Sequence, residues 1–227
     1  YETKSSYSFT VIATDATGNA REQAVTITVT NVNESPTVTS SSSATFAENA
    51  TGTVYTVTGT DPDAGTTLSY SISGTDASLF DINSSTGVIT FKASPNYESP
   101  SDSGGNNVYD ITVTASDGSL TNSKAVTITV TNVDDIAPAF TSATTGTAAE
   151  NQNQLYTAAA NDSVDYTNGT VTYSLKAATG DVAALSINSS SGVVTLASGN
   201  LDYETKSSYS FTVIATDATG NAREQAV

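Results

Sequence analysis

The sequence predicts an all-β protein built from tandem seven-stranded Greek-key β-sandwiches joined end to end. Three observations lead to this prediction. Apolar and polar residues alternate along most segments, no segment carries a sustained helical period, and the same pattern returns about every 100 residues. About seven short strands rich in Thr and Val fit into each hundred residues, a density typical of a two-sheet sandwich of the immunoglobulin-like kind.

The strands are predicted from alternation between the two faces of a sheet. Val25, Ile27 and Val29 alternate with threonines, and the preceding segment alternates in the same way through Phe9 and Val11. Asp-Gly and Asn-Gly pairs mark turns between such segments. Further strands are predicted at 52–59, 67–73, 87–93 and 108–115.

Two nested repeats organise the chain. Residues 203–227 have the same sequence as residues 1–25, which sets a period of 202 residues. Within that period the nonapeptide AVTITVTNV stands at 24–32 and again at 125–133, 101 residues later. The chain is therefore predicted to hold the hairpin end of one repeat, a complete repeat and a repeat without its last strand, at residues 1–35, 36–135 and 136–227.

Composition argues against several functions. The 227 residues include no Cys and no His, so thiolate metal sites and the usual Ser–His and Cys–His nucleophile pairs cannot form, and we expect no enzyme. The formal charge is −16, with no basic stripe for nucleic acid or an anionic membrane surface. No apolar run approaches the roughly 20 residues of a membrane helix. We expect neither nucleic-acid binding nor membrane insertion.

The carboxylates recur at fixed positions of the repeat. In residues 36–135 these positions are Glu48, Asp61, Asp63, Glu98, Asp117 and the linker 132–135. The second repeat carries acidic residues at matching places, namely Glu150, Asp162, Asp165, Asp202, Glu204 and Asp217. All of them fall at predicted strand ends or in loops. Ca²⁺ takes roughly six to eight oxygen ligands and tolerates irregular geometry, so oxygen ligands gathered at linkers favour this ion.

In order and spacing these positions resemble the cadherin repeat, which runs x-E-x, D-x-D, D-x-E, x-D-x and a linker D-x-N-D-N before a proline. The matching residues are Glu48, Asp61, Asp63, the segment 96–98, Asp117 and the linker 132–136. The resemblance departs from that pattern at Asn96, which replaces an Asp, and at Asp162 and Asp165, which are separated by two residues. The Thr- and Ser-rich, Cys-free composition is closer to cadherin-like arrays of large bacterial surface proteins than to animal cadherins.

The resemblance implies calcium sites shared between neighbouring repeats, with about two or three Ca²⁺ ions at each junction. For the junction at 31–36 the implied ligands are Glu2, Asn33, Glu34, Asp61, Asp63 and Asp117. For the junction at 131–138 they are Glu48, Asn96, Glu98, Asn132, Asp134, Asp135, Asp162, Asp165 and Asp217. Glu150, Asp202 and Glu204 would serve a further junction completed by a neighbour. Asp76, in a predicted plain loop, is expected to bind no ion.

The leading hypothesis for function is a calcium-rigidified structural or adhesive repeat of a long protein at the cell surface or in an extracellular filament. Extracellular modules bind Ca²⁺ with dissociation constants of roughly 10⁻⁴–10⁻³ M, so the sites would fill outside the cell. The alternative is a module that binds glycan or a copy of itself through a loop such as 94–107. Paired carboxylates also occur in glycosidases, but the sequence has no Trp and no sign of an aromatic-lined cleft.

The expected partners are neighbouring repeats or head-to-tail copies of the chain, with a cell-surface glycan or protein as a further candidate. The second repeat lacks the strand that residues 26–31 supply elsewhere, while residues 1–31 form a hairpin whose apolar face has no sandwich of its own. An open sheet edge invites strand addition. We therefore expect either a stretch of a longer continuous polymer or a neighbour whose N-terminal segment completes the second repeat.

Overall fold

The computed structural model describes residues 1–162 and 169–227. Within those ranges the regular elements are strands, apart from two short 3₁₀ turns at Ala77–Leu79 and Val182–Ala184. No helix in the described ranges has the length and apolar character needed to cross a membrane. The chain separates into two units, Tyr1–Thr131 and Asn132–Val227. The three-part division drawn from the sequence stays a prediction, and the predicted ligand Asp165 lies outside the described residues.

The strands follow the alternating segments of the sequence. The first unit contains β1 Ser6–Thr14, β2 Ala20–Thr28, β3 Thr37–Val38, β4 Ser43–Ala47, β5 Thr53–Thr56, β6 Gly59–Thr60, β7 Ser69–Ser73, β8 Phe80–Ile82, β9 Val88–Phe91, β10 Val108–Ser116 and β11 Thr121–Thr131. The described part of the second unit contains β12 Ala139–Phe140, β13 Gln154–Thr157, β14 Ala160–Asn161, β15 Thr172–Leu175, β16 Leu185–Ile187, β17 Val193–Leu196, β18 Thr212–Thr216 and β19 Ala222–Ala226. The strands predicted from alternation are confirmed, with ends that differ by a few residues.

Strands β3 to β11 form the first sandwich. One sheet has the order β4-β11-β10-β7 and the other the order β5-β9-β8, so seven strands make the two main sheets, as predicted. Strands β10 and β11 run antiparallel, whereas β4 lies parallel to β11 with Thr45 opposite Thr129. The parallel partner adds a fourth strand to the first sheet and covers the outer edge of β11.

The residues that form the core of the first sandwich are those that the alternation of side chains along each strand places on its inner face. Tyr109, Ile111 and Val113 of β10 are buried, while the residues between them face outward or are only half-buried. Ile128 on β11 is fully buried in the same core. The ring of Tyr109 packs edge-on against Phe91 at 5.0 Å between centroids, a favourable aromatic geometry. The loops and strand ends that carry the carboxylates are therefore attached to a packed, rigid body.

Among the described residues, strands β12 to β19 form the second sandwich, with no strand in the place that β4 has in the first. Its sheets have the orders β15-β18-β19 and β13-β17-β16. Residues 145–149 match β4 in sequence but belong to no strand among the described residues. The core is nevertheless packed, because Val194 and Val213 are fully buried and Phe211 is nearly so. The last strand of the described residues, β19, pairs with β18, and the predicted absence of a further strand stays a prediction.

The N-terminal hairpin (residues 1–31) pairs β1 with β2 and leaves an apolar face exposed. Ser6 lies opposite Thr28 and Phe9 opposite Val25, in regular antiparallel register. Phe9 and Ile27 are each 51% exposed, although the residues that match them inside the sandwiches, Phe211 and Ile128, are 4% and 0% exposed. The same residue types are thus buried or exposed according to whether a second sheet faces them.

Candidate metal centres

The first candidate centre joins the linker at 31–36 to the loops of the first sandwich. One carboxylate oxygen each from Glu2, Glu34 and Asp63 can be chosen so that all lie within 4.8 Å of one another. The Glu34 backbone N–H donates to Asp63 Oδ2 at 3.1 Å, which holds the linker against the loop. Glu34 Oε2 is shielded from solvent and has no hydrogen-bond partner in the part of the chain that the structure describes.

The loop after β6 presents the pair Asp61 and Asp63. The Asp63 N–H donates to Asp61 Oδ1 at 2.8 Å, a local turn that fixes both side chains. The Asn31 amide donates to Asp63 Oδ1 at 2.7 Å. Asp61 Oδ2 is shielded and unpartnered among the described residues. Removing a charged oxygen from water is costly unless a cation or donor replaces the water, so this atom fits a metal ligand.

Asp117 occupies the turn between β10 and β11. Its Oδ1 accepts from the N–H groups of Ser119 and Leu120 at 2.6 and 2.7 Å, and its Oδ2 accepts from the Asn33 amide at 2.7 Å. The bonds from Leu120, Ser119 and Asn33 lower the pKa of Asp117, which stays ionised at neutral pH. The linker amide of Asn33 therefore binds the first sandwich directly, in the position where the sequence predicts a shared site.

The first centre carries excess negative charge, which the terminal ammonium of Tyr1, 3.5 Å from Glu2 Oε2, offsets only in part. Burial, followed by the nearby carboxylates of Glu2, Asp63 and Asp61, raises the pKa of Glu34. A like charge within a few ångströms disfavours ionisation, whereas a divalent cation would reverse the effect. The arrangement therefore favours binding of a cation, which would relieve the repulsion between these carboxylates.

The second candidate centre lies within the second unit. Carboxylate oxygens of Asp134, Asp162 and Asp217 all lie within 4.8 Å of one another. Asp162 and Asp217 are each only 5% exposed, and Asp134 is half-buried. Two carboxylates at 4.8 Å repel by about 3.5 kcal/mol at an effective dielectric constant of about 20. A buried group of three such charges needs a counter-ion.

The turn at 217–221 places the Asp217 carboxylate. Asp217 Oδ1 accepts four hydrogen bonds of 2.7–2.9 Å, from the N–H groups of Thr219, Gly220 and Asn221 and from the Thr219 hydroxyl. Burial alone would raise the pKa of Asp217, but the bonds from Asn221 and Thr219 outweigh it and the pKa lies below its ordinary value. Asp217 Oδ2 is shielded and has no partner among the described residues.

The same turn also holds the linker. The Asn221 side-chain amide donates to the backbone oxygen of Asp134 at 3.0 Å. Asn221 and Thr219, like Asn31 at the first centre, were missed as site residues. The motif D-x-T-G-N, which occurs at both 15–19 and 217–221, was the signal in the sequence that could have identified Thr219 and Asn221. In the N-terminal hairpin Asp15 accepts from Asn19 and Thr17 in the same way.

Gly169 packs directly against Asp162. A Cβ atom at position 169 would lie 2.0 Å from Asp162 Oδ2, well inside contact distance, so a larger residue would displace the carboxylate. Glycine at this position allows the backbone to approach the second centre closely.

Both centres suit a hard divalent cation. Their clustered ligand atoms are carboxylate oxygens, they carry excess negative charge, and three of their carboxylate oxygens are shielded without a hydrogen-bond partner among the described residues. Oxygen-only ligand sets of this kind favour Ca²⁺ or Mg²⁺ over zinc or copper, and irregular ligand placement favours Ca²⁺.

The other ligands predicted for the junction at 131–138 lie in separate units. Glu48 is 2% exposed, its N–H donates to Thr131 O at 3.0 Å, and its Oε2 accepts from a loop N–H at 2.6 Å. Glu98 is half-buried, while Asn96 is exposed and its side chain accepts from the N–H of Ser99. The second unit carries Asn132, which is half-buried, and Asp135, which is exposed. Metal binding by these five residues stays a prediction.

The third predicted set, Glu150, Asp202 and Glu204, is not gathered. All three residues are exposed, and no carboxylate cluster in the described ranges includes them. Hydrogen bonds from the Thr205 side chain and backbone lower the pKa of Asp202. Glu150 has the same place in the repeat as the buried Glu48, so the motif alone does not determine whether this carboxylate is buried.

The expectation that Asp76 is a plain loop carboxylate is wrong. Asp76 is 4% exposed, and its two oxygens accept from the N–H groups of Ser103 and Asp110, each at 2.8 Å. These bonds tie loop 94–107 to the start of β10. This role could not be predicted from local sequence, because the partners are backbone groups about 30 residues away.

Loop 94–107, the candidate for glycan binding, uses its polar groups internally. The Asp102 carboxylate accepts from the N–H groups of Asn106 and Asn107 at 3.1 and 3.0 Å, and the Asn107 amide donates to Tyr97 O at 2.8 Å. Asp102 and Asn107 are both buried. These bonds hold the loop in its own conformation, and nothing among the described residues favours glycan binding by it.

Comparisons with known proteins agree with the resemblance seen in the sequence. A sequence profile of the Cadherin domain matches residues 42–131 and 144–227. Human Protocadherin Fat 4 is 33% identical over 178 residues, which cover 71% of this chain and 3% of that protein. Human Cadherin-23 is 32% identical over 162 residues, covering 69% of this chain and 5% of that protein. The chain thus spans a small fraction of each relative.

A solved structure, the protocadherin gammaB7 EC3-6 cis-dimer, superposes on 99% of this chain and 60% of its own with a TM-score of 0.72. The two sequences are 22% identical, so this likeness concerns the fold alone. The relatives named here are animal proteins, and the expected link to bacterial surface arrays has no support among them.

Proposed function

The chain belongs to the cadherin family, and from this premise we propose that it is a calcium-binding structural and adhesive repeat of a longer extracellular protein. Ca²⁺ would bind at the junctions at 31–36 and 131–138, about two or three ions at each. The role is mechanical rather than catalytic, because the carboxylates surround the linkers.

One observation carries the proposal. Each candidate centre combines a linker carboxylate, Glu34 or Asp134, with loop carboxylates of the sandwich that follows. Shielded oxygens of Glu34, Asp61 and Asp217 have no hydrogen-bond partner among the described residues. Isolated surface acids would face water, so this combination supports a site built for a cation.

The function follows from charge. Without the ion, carboxylates within 4.8 Å of one another repel, and the repulsion acts between the linker and the loops. A bound Ca²⁺ would cancel that repulsion and tie the linker to the sandwich through shared ligands. At a calcium concentration about ten times the dissociation constant, each occupied site would stabilise the folded junction by about 1.4 kcal/mol.

The partners we propose are neighbouring repeats and other cadherin repeats, including copies of this chain, in the extracellular space. Dissociation constants of roughly 10⁻⁴–10⁻³ M would leave the sites filled outside cells and empty in the cytosol. The compartment would then act as the switch between a flexible and a stiff chain.

Calorimetric calcium titration of Asp217→Asn tests the proposal. The amide oxygen can still accept the four bonds that Asp217 Oδ1 accepts, so the turn should stay folded, while the second centre loses one charge and gains an N–H donor. We expect the loss of at least one bound ion per chain. The control is Asp81→Asn, the same change at an exposed residue of β8, which should bind Ca²⁺ like the unaltered chain. If both variants bind the same number of Ca²⁺ ions with the same affinity, Asp217 is not a calcium ligand.

Small-angle scattering tests the mechanical role. Chelation with EGTA should change the maximum dimension of the chain while circular dichroism keeps its β-sheet signal, because the ligands lie in linkers and loops and the cores are apolar. An unchanged scattering curve would show that calcium does not stiffen the junctions, even if calorimetry detects binding.

A further inference from the structure

We propose that Asn83 and Asn188 are acceptor sites for N-linked glycans. The proposal rests on the extracellular location proposed above, because such glycans are added to secreted chains, and it is independent of calcium binding. Asparagine accepts them in the motif Asn-x-Ser/Thr, where x is not proline. In this chain the motif begins at Asn33, Asn49, Asn83, Asn161, Asn168 and Asn188.

Two of these motifs have the same place in both sandwiches. Asn83-Ser84-Ser85 follows β8, and Asn188-Ser189-Ser190 follows β16, each in the turn that leads to the next strand. In a sequence rich in Ser and Thr a single motif is a weak signal. Recurrence in the same turn of two repeats, together with the geometry of the turn, is a stronger one.

Asn83 closes its own turn with the side-chain oxygen. Its Oδ1 accepts from the N–H groups of Ser85 and Thr86, each at 3.0 Å. The backbone completes the turn, with the Gly87 N–H donating to Asn83 O at 2.8 Å and the Asn83 N–H donating to Val88 O at 2.9 Å. Because only an oxygen can accept from two N–H donors, the orientation of the amide is fixed and Nδ2 points away from these bonds.

Asn188 repeats this arrangement. Its Oδ1 accepts from the N–H groups of Ser190 and Ser191 at 3.0 and 2.9 Å, and the Gly192 N–H donates to Asn188 O at 2.9 Å. The two turns therefore present the same amide nitrogen in the same way.

The amide nitrogens of Asn83 and Asn188 are available for modification. Neither Nδ2 makes a hydrogen bond among the described residues, and both asparagines are exposed. The hydroxyl residues of the two motifs, Ser85 and Ser190, are exposed as well. A polar N–H group without a protein partner is hydrated, so a sugar at this atom would displace only water.

Both turns are fixed to their sandwiches on the inner side. The Ser84 backbone oxygen accepts from the Tyr70 N–H, and the Ser189 oxygen from the Tyr173 N–H, each at 2.8 Å. In the described part of the chain β8 and β16 are edge strands, in the orders β5-β9-β8 and β13-β17-β16. The turns that follow them therefore have no further strand of the same sheet on one side, which leaves room for a glycan.

Two of the remaining motifs overlap the candidate metal centres. Asn33 Nδ2 donates to Asp117 Oδ2 at 2.7 Å, so a glycan there would replace a contact between the linker and the first sandwich. The motif at Asn161 contains Asp162, which is 5% exposed within the second centre. We expect neither position to carry a glycan in the folded protein.

The last two motifs have no counterpart in the other repeat. Asn49 follows the buried Glu48 and has a left-handed backbone with φ of 57°, and its N–H donates to Pro95 O at 2.9 Å. A glycan there would stand beside a predicted calcium ligand. Asn168 lies outside the described residues.

The transfer requires an oligosaccharide carried on a polyprenyl pyrophosphate and the transferase that uses it. Asparagine Nδ2 forms a bond to C1 of the first sugar, while the bond between C1 and the pyrophosphate oxygen breaks. Polyprenyl pyrophosphate leaves with the electron pair, and Nδ2 loses one of its protons. No oxidation or reduction takes place. The folded sandwich must then leave the modified nitrogen exposed, as both turns do.

Secretion of the whole chain from cultured animal cells tests the proposal. A removable tag with its own Asn-Gly-Thr motif reports whether a chain has met the transferase, and only protein with a glycosylated tag is scored. Enzymatic release of the glycans in heavy-oxygen water marks each glycosylated asparagine. Digestion after Asp and Glu places the motifs of the chain on separate peptides.

We expect the mark at Asn83 and at Asn188. A glycosylated tag with no mark at either residue would overturn the proposal. Marks at Asn33 or Asn161 in place of these two would show that exposure of the amide in the folded protein does not select the sites, and would overturn it as well.

A matched pair of serine variants separates the motif from the turn. Ser85→Ala removes the hydroxyl that the motif requires but keeps the backbone N–H that Asn83 Oδ1 accepts from. Ser84→Ala removes the neighbouring hydroxyl at the middle position, which the motif leaves open. We expect Ser85→Ala to lose the glycan at Asn83, whereas Ser84→Ala and Ser85→Thr should keep it. A glycan that persists in Ser85→Ala would contradict the assignment.

The same pair exists in the second sandwich. Ser190→Ala should lose the glycan at Asn188, and Ser189→Ala should keep it, because the turn again uses only the backbone N–H of Ser190. Loss of the glycan at Asn188 in both variants would show that the turn was disturbed and that the motif does not define the site.

Calorimetry separates this proposal from the one on calcium. The Ser85→Ala,Ser190→Ala chain should bind Ca²⁺ like the glycosylated chain, because neither serine belongs to a candidate centre. Calcium binding without glycans at Asn83 and Asn188 would refute the acceptor sites alone. Glycans at both residues without calcium binding would refute the calcium sites alone.

Discussion

The duplicated sequence places the same phenylalanine in two environments, which makes a controlled test of the packing. Phe9 is 51% exposed and Phe211 is 4% exposed, although both lie in the same 25-residue sequence. The difference is about half the surface of the side chain, on the order of 100 Å², or about 2.5 kcal/mol of transfer free energy. Phe211→Ala should cost about 3–5 kcal/mol, because it also leaves a cavity beside Tyr156, whose ring centroid lies 5.9 Å from that of Phe211.

Phe9→Ala should lower the free energy of unfolding by less than about 1 kcal/mol. The assay is urea unfolding followed by circular dichroism at a protein concentration low enough to keep the chain monomeric. With a slope of about 1–2 kcal/mol per molar urea, Phe211→Ala should lower the midpoint of the second sandwich by about 1.5–5 M. Hydrogen exchange of β13 and β17 identifies which transition moves. Equal shifts for the two variants would refute the assignment of exposed and buried faces.

Three further predictions concern the carboxylates. Without calcium, the free energy of unfolding should fall as pH rises from the ordinary pKa of Glu34 through its raised pKa in the folded state, because the folded state binds the extra proton. Urea unfolding in EGTA at a series of pH values should show this fall, and Glu34→Gln should remove it. Gly169→Ala should displace Asp162, destabilise the second sandwich by about 1–3 kcal/mol and weaken calcium binding in calorimetry; unchanged affinity would contradict the close packing. Asp76→Ala should cost about 2–4 kcal/mol in thermal or urea unfolding because two backbone N–H groups lose their acceptor, whereas Asp81→Ala should stay within about 0.5 kcal/mol.

Much of the fold could be predicted from local pattern. The strands were found because alternation between sheet faces is a property of neighbouring residues, as in β10, where Tyr109, Ile111 and Val113 turn inward in succession. The repeat and the recurring acidic positions were found by comparing one part of the sequence with another. The ligand residues themselves stay predictions, although the structure gathers six of them into two carboxylate clusters.

The rest depended on contacts between residues far apart in the chain. Glu48 and Glu150 share a motif, yet only Glu48 is buried, and its carboxylate accepts from the N–H of Tyr97, 49 residues away. Asp76 looked like a plain loop residue until the N–H groups of a distant loop were brought to its oxygens. Local sequence does not contain this information, since the cost of burying a charge depends on what the fold places beside it.

By itself the sequence determined the kind of element, the repeat and the chemistry of the available ligands, all of which depend on residues close together in the chain. Only the tertiary structure decided which carboxylates converge and which apolar faces are covered. Residues 1–25 and 203–227 show the distinction. The same sequence forms an exposed hairpin at residues 1–25 and part of a packed core at residues 203–227. Burial depends on whether a second sheet lies opposite, and that is a property of the whole fold.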